Sequence, residues 1–210
     1  MLTLGTVSAQ AVVAALVRRV RTANGDDTVP AGKTTCTAHL LAGGGNPFSE
    51  YDPDTGNTTF YGGKGAEFRT GITFSVTSGS TVSFAAGAGR STVTYAGSLL
   101  GSAMPGDEGG AGGTGGTGKT GGSGGIAGGG SAGGGGAAGS TGNGGVASGA
   151  TGGVRGTGAS FTDTETGVTY VNGPGYSAST NTQAGYGGGG GYIGASAQAA
   201  GGGFVVLEYT

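Results

Sequence analysis

The chain has 210 residues, 57 of them glycine and one cysteine, with 10% charged residues and a formal net charge of −2. That length suits one or two domains, and so little charge without a basic patch excludes a phosphate backbone, and therefore nucleic acid, as partner. Cys36 stands alone, so an intrachain disulfide and a cysteine-built zinc site are both excluded, and it reads as a small buried hydrophobe.

Met1 to Thr6 reads as an extended arm. Ser8 can cap a helix that runs to about Ala23 and is stopped by Asn24-Gly25. Val13, Leu16, Val17 and Val20 fall at i, i+3, i+4 and i+7 on one apolar face. Ala9, Val13, Leu16 and Val20 also follow the 4-3-4 spacing of a coiled-coil seam about two heptads long, a docking or oligomerisation surface. Packing on the following domain is the competing use of that face. The first 23 residues lack a basic leader, and Arg18, Arg19 and Arg21 interrupt the apolar run, so neither a secretory signal nor membrane insertion is expected.

Val29-Pro30-Ala31-Gly32 is a turn opening a β region, with a strand over residues 35–42. Residues 72–77 and 81–86 alternate apolar and polar around Ser78-Gly79-Ser80, which predicts a hairpin with one buried face. Residues 92–95 form a weaker strand. The last apolar segment, Phe204 to Tyr209, is hydrophobic on both faces until Glu208, as a strand buried in a sandwich would be. It is expected to return to the sheet of residues 35–95.

Between these lies a glycine-dominated stretch, and 41 of the glycines follow residue 104. Taking every third residue from Gly106 to Gly145, thirteen of fourteen positions are glycine, with Ala127 the exception. Three residues per turn is the period of the polyproline II helix, and a bare edge lets such helices bond through their backbones. No proline lies between Gly106 and Gly158, which argues against collagen. A bundle of polyglycine II helices is expected, with a disordered linker as the alternative. The fold class is then mostly β: a small β-sandwich-like base, an inserted polyglycine II bundle or stem, and a short N-terminal helix. The divisions are 1–27 (helix), 28–104 (β domain with loop 49–62), 105–158 (glycine triplets) and 159–210 (second hairpin, glycine-rich return and closing strand).

Residues 49–62 and 160–173 share a pattern. Each places two carboxylates two residues apart, then Thr-Gly, then β-formers, which predicts two hairpins with tight acidic tips. As recognition loops they offer Tyr51, Asp52, Asp54, Tyr61, Asp163, Glu165, Tyr170 and Tyr176 as contacts, tyrosine being a good contact residue on a rigid scaffold. Ordinary exposed turns are the plainer reading. Asp52, Asp54 and Asn57 have a suggestive calcium spacing, weakened by Pro53 and the missing bidentate glutamate. No cofactor is expected.

Residues 113–120 match the P-loop pattern letter for letter, yet glycine tracts on both sides remove the strand and helix that the mechanism requires. His39, the single histidine, has no identifiable nucleophile or carboxylate around it, so no enzyme is expected. Thr114, Thr117, Thr120 and Ser123 share one register and would form a hydroxyl row on a three-residue helix, which suggests ice binding as an alternative of another class.

The succession Thr28-Val29-Pro30-Ala31-Gly32-Lys33-Thr34, a strand, Gly43-Gly44-Gly45, then Phe74 to Gly89, closing with Gly202-Gly203-Phe204 to Tyr209, resembles the glycine-rich domain of phage tail and tail-fibre proteins. Ser78 stands where that family usually has proline, and the glycine tract is less interrupted. The Gly-Gly-Ala and Gly-Gly-Thr units are similar in composition to mycobacterial surface repeats, which points to an actinobacterial host. The resemblance implies a virion protein, assembled in the host cytoplasm and exposed on the particle. It would be a tail-fibre or tail-tip component that attaches to a host-surface glycan or protein, in contact with other virion proteins and as a homo-oligomer, a trimer being favoured. A head-decoration or purely structural virion role is the alternative.

Overall fold

The computed structural model describes residues 15–127 and 129–210. Its strands begin with β1 (Val17–Arg21), β2 (Gly25–Thr28), β3 (Thr35–Leu41), β4 (Phe48–Asp52), β5 (Asn57–Tyr61) and β6 (Phe68–Ser75). Next come β7 (Thr81–Ala85), β8 (Ser91–Tyr95), β9 (Ser98–Ala103), β10 (Thr117–Lys119) and β11 (Ile126–Ala127). The chain ends with β12 (Ser160–Thr162), β13 (Thr169–Val171), β14 (Gly191–Ile193), β15 (Ser196–Gln198) and β16 (Phe204–Tyr209). The only helix among the described residues is one 3-10 turn, Gly106–Glu108. The class is mostly β, as expected.

Two antiparallel sheets face each other, with strand orders β1-β16-β3-β6-β10 and β2-β7-β8-β9. Between them lies a core that includes Leu40, Phe68, Val82, Val93 and Val206, all fully buried. Each such side chain contributes about 1.5–3 kcal/mol on leaving water. β16 runs between β1 and β3, and Phe204 to Leu207 are buried on both faces. The apolar run at the end of the sequence therefore has its reason: a central strand presents both faces to protein.

Two expectations are corrected. Residues 17–21 are not helical but form an edge strand on β16, from Val17 opposite Tyr209 to Arg21 opposite Val205. The helical spacing of the apolar residues loses to the free edge of β16, and β-branched valines suit a strand. Val20 enters the core, Val17 packs against it, and Leu16 stays 41% exposed; Val13 and the start of the expected helix lie outside the described residues. Second, residues 72–77 and 81–86 do not pair as a hairpin. β6 pairs with β3 and β10, whereas β7 pairs with β2 and β8, so the chain crosses from one sheet to the other. The crossing turn is held by Ser80 N donating to Thr77 O and Gly79 N to Val29 O, with Gly79 at φ +79°. Both strands keep their inward alternation because each lines the same core from opposite sides.

The glycine-rich part follows another pattern. Along residues 133–139 the amide donors turn through three neighbours in succession. Gly133, Gly136 and Gly139 donate to Gly149, Gly145 and Gly142; Gly134 and Ala137 to Tyr176 and Gly173; Gly135 and Ala138 to Gly63 and Ala66. The carbonyls of Gly133 and Gly136 accept from Gly125 and Gly122, those of Gly134 and Ala137 from Gly153 and Gly156, and that of Gly135 from Gly189. One segment is thus bonded to six others, where a β-strand has at most two partners. Three of the six, residues 63–66, 173–176 and 187–190, come from outside the expected 105–158 region. Within that region, residues 106–119 are turns and the edge strand β10, with positive φ at Gly109, Gly112, Gly115 and Gly116. Ala127, the break in the triplets, lies in β11 opposite Phe60.

Close approach is what demands glycine here. A Cβ on Gly136 would fall on the Val154 carbonyl, and one on Gly134 on the Gly189 carbonyl, whereas one on Gly89 would meet nothing within 4 Å. Gly136→Ala is expected to lower stability by at least about 3 kcal/mol, and Gly89→Ala to stay within about 0.5 kcal/mol of the parent. Denaturant unfolding of the two variants checks this.

Candidate functional site

β4 and β5 form a hairpin that projects from the body, and all five β4 residues are exposed. Its tip is closed by Asp52, whose Oδ1 accepts from the Asp54 amide at 2.9 Å and whose Oδ2 accepts from the Thr55 hydroxyl at 2.7 Å. Gly56 N donates to Asp52 O, and Gly56 takes φ +69°, a conformation that suits glycine. The Thr55 hydroxyl, followed by the Asp54 amide, holds the Asp52 carboxyl below its ordinary pKa range. Both Asp52 oxygens are therefore engaged in the turn. Among the described residues no group of three or more His, Cys, Asp or Glu is placed to hold a metal ion, and Asp54 and Asn57 are exposed beside a carboxylate already committed.

β12 and β13 form the second hairpin with the same tip chemistry. Asp163 Oδ1 accepts from the Glu165 and Thr166 amides at 2.9 Å, Gly167 N donates to Asp163 O, and Gly167 has φ +72°. This tip, however, is docked on β1. Val20 N donates to Asp163 Oδ2 at 2.8 Å, Thr164 N donates to Arg18 O, and Arg19 pairs with Glu165 at 2.6 Å. Burial pushes the Asp163 carboxyl up, but the Val20, Thr166 and Glu165 amides outweigh it and hold the group below the usual range.

Of the eight expected contact residues, Tyr51, Asp52, Asp54 and Glu165 are exposed, Glu165 being paired with Arg19, and Tyr61 and Tyr170 are half-buried, Tyr170 packing on the core beside Phe204. Two are corrected by burial. Asp163 is 1% exposed. Tyr176 is fully buried, its hydroxyl donating to Asn181 Oδ1 at 3.1 Å. The sequence pattern identified two equal turns but carried no sign that β1 covers one of them.

A groove of about 450 Å³ opens at the base of the first hairpin. Phe48 and Tyr61, opposite each other in the β4–β5 register, stack with ring centroids 4.5 Å apart and planes 6° apart. Ile126 of β11 lies opposite Tyr61 and is 64% exposed. Asn46, Lys64, Asp107 and Ser123 supply the polar lining. Asp107 is anchored, accepting from Asn46 N at 2.6 Å and Asn46 Nδ2 at 3.1 Å. Sequence reasoning passed over Phe48, Lys64, Asp107 and Ile126, which are far apart along the chain and carry no common spacing.

The remaining polar clusters brace the fold. Asp27, 5% exposed, accepts from Tyr209 Oη at 2.7 Å and pairs with Arg19 and Arg21, each at 3.1 Å. Burial, then the bond to Asp27, pushes the Tyr209 phenol upward, so it stays a donor. Glu208 lies 3.5 Å from His39 Nε2 and 2.6 Å from Arg18 Nε; His39 and then Arg18 lower its pKa against the effect of burial. His39 Nδ1 meets Thr70 Oγ1 at 2.6 Å. Within the P-loop-like match, the Gly113 amide donates to the buried Glu67 carboxylate, and Thr117 to Lys119 form β10 at a sheet edge. Thr114, Thr117, Thr120 and Ser123 are all exposed residues, but the Thr114 hydroxyl meets Ser102 Oγ at 3.2 Å and the positive φ of Gly115 and Gly116 interrupts their row.

Asp163→Ala removes a buried acceptor of three amides and is expected to cost about 1–3 kcal/mol, whereas Asp52→Ala leaves the thermal midpoint nearly unchanged. Because the folded pKa of Asp163 is lowered, its contribution is full at neutral pH. It is lost as pH falls through the folded value, below about pH 4, so the parent and Asp163→Ala midpoints should converge in acid. Burial, then the nearby Asp27 charge, pushes the Cys36 thiol up to about 12. Native protein should therefore leave Ellman's reagent unreacted at pH 8 and react once unfolded. No family model matches this chain and no curated protein matches it, so what it does is read from its own geometry.

Proposed function

We propose that the chain is a structural protein of a tailed-phage virion, a tail-fibre or tail-tip component that attaches the particle to an actinobacterial surface. In this reading the glycine-rich layer is a polyglycine II bundle. Its support is the threefold rotation of amide donors along residues 133–139, together with the absence of positive φ among the glycines of that segment. A bundle of that kind is stiff and nearly uncharged, and it holds its shape without disulfides. Other virion proteins and further copies of the chain, three in the favoured arrangement, would complete the assembly.

The observation that carries attachment is the β4–β5 hairpin. It is exposed along its whole outer strand, with Tyr51 62% exposed at a carboxylate-closed tip, and it grows from a scaffold bonded on several sides. Binding residues concentrate on loops held by rigid supports, and an exposed tyrosine supplies contact area at small entropic cost. The second hairpin, docked on β1, is left a structural role.

Replacing residues 50–59 by a two-residue Asn-Gly turn tests this, since the groove residues and the core stay in place. Labelled full-length protein is expected to bind intact actinobacterial cells and the shortened variant to bind at least about tenfold more weakly, with an unchanged thermal midpoint. Equal binding by the two proteins would take the hairpin tip out of attachment, and no cell binding by the full-length protein would leave the purely structural role.

A further inference from the structure

We infer that the groove at the base of the β4–β5 hairpin is a binding site for a neutral saccharide of one or two pyranose units. This deepens the attachment reading and rests on it for the source of the sugar. The groove, about 450 Å³, falls within the ~300–1,000 Å³ range of ligand clefts.

Its lining has two chemistries side by side. Tyr61 covers one face of Phe48, yet Phe48 remains 57% exposed, and Ile126 across the same sheet is 64% exposed. Large apolar side chains clustered and open to water at a concavity mark an interaction site. Asn46, Asp107, Lys64 and Ser123 then offer donors and acceptors together. Asp107 is held in place by two bonds from Asn46, and Lys64 is exposed with no ion pair among the described residues. One cation facing one anchored carboxylate gives a balanced charge, which suits neither a polyanion nor a polycation.

The walls decide between a sugar and a peptide. The amides of Gly62, Gly63, Gly106 and Gly125 donate to Gly125, Gly190, Gly43 and Gly133 carbonyls at 2.8–3.0 Å. These amides cannot pair with an added strand, the usual way an extended peptide is held. A pyranose needs no such edge. Its C–H face lies on an aromatic ring, and its equatorial hydroxyls meet side-chain amide, carboxylate, ammonium and hydroxyl groups. Because the glycine walls are already fixed by their own hydrogen bonds, little ordering accompanies binding.

The test is a glycan array that includes bacterial cell-wall oligosaccharides, probed with the full chain, Phe48→Ala, Lys64→Ala and the 50–59 turn replacement. The parent is expected to retain at least one neutral oligosaccharide. Phe48→Ala should weaken that retention about tenfold, Lys64→Ala should weaken it measurably, and the turn replacement should change it less than about twofold. Phe48 and Lys64 are exposed, so thermal midpoints within a degree of the parent would verify that these variants fold. No retention of any saccharide, or retention that Phe48→Ala leaves intact, overturns the inference. Cell binding by the parent with a silent array would sink the sugar site alone. Retention on the array without cell binding would sink attachment and keep the site.

Discussion

A layer made of glycine has almost no side-chain surface to bury, so it is held by main-chain hydrogen bonds whose direction changes at every residue. Residues 133–139 satisfy six surrounding segments in this way. Each bond contributes about 0.5–1.5 kcal/mol net, whereas fixing one residue's backbone costs about 1–2 kcal/mol, and more for glycine. The bonds alone do not offset the ordering, so the layer depends on the sandwich beside it. Ala137, Ala138 and Ala159 tie it to the core cluster, and a Cβ at Gly187 would already crowd the Leu41 side chain.

The two hairpins separate local from long-range control. Asp52 and Asp163 build the same turn from the same spacing of carboxylate, threonine and glycine, because that geometry is set within five residues. Their surroundings differ because β1 supplies the Val20 amide and the Arg18 backbone to one tip alone. A free tip and a docked tip thus arise from one local code. The free tip ends the hairpin at whose base the groove lies, and the docked one locks the edge of the larger sheet.

The sequence was legible where burial leaves a period. β3, β8 and β16 stand out through alternation or unbroken apolarity, and the return of β16 to the first sheet follows from its having both faces buried. It was illegible where the partner is remote. Val17 and Val20 fit a helix as well as a strand until the open edge of β16 is known. The strands flanking Gly79 alternate alike whether they pair or face each other across a core. Gly43 to Gly45, Gly62, Gly63 and Gly65 look like loop glycines, yet their neighbours leave no room for a Cβ. The groove was hidden for the same reason, since Phe48, Asp107 and Ile126 meet only through the packing of three separate segments.

The position of β16 has a further consequence for how the chain is made. β1 and β3 never touch as neighbours; the strand between them follows the whole glycine-rich stretch. During synthesis the larger sheet therefore waits with an open slot, exposing Leu40, Leu41 and Val20 until the final insert emerges from the ribosome. Such remote pairing makes for slow closure. The sparsely charged, glycine-rich tract lying between the halves offers few apolar side chains for a wrong collapse while they wait.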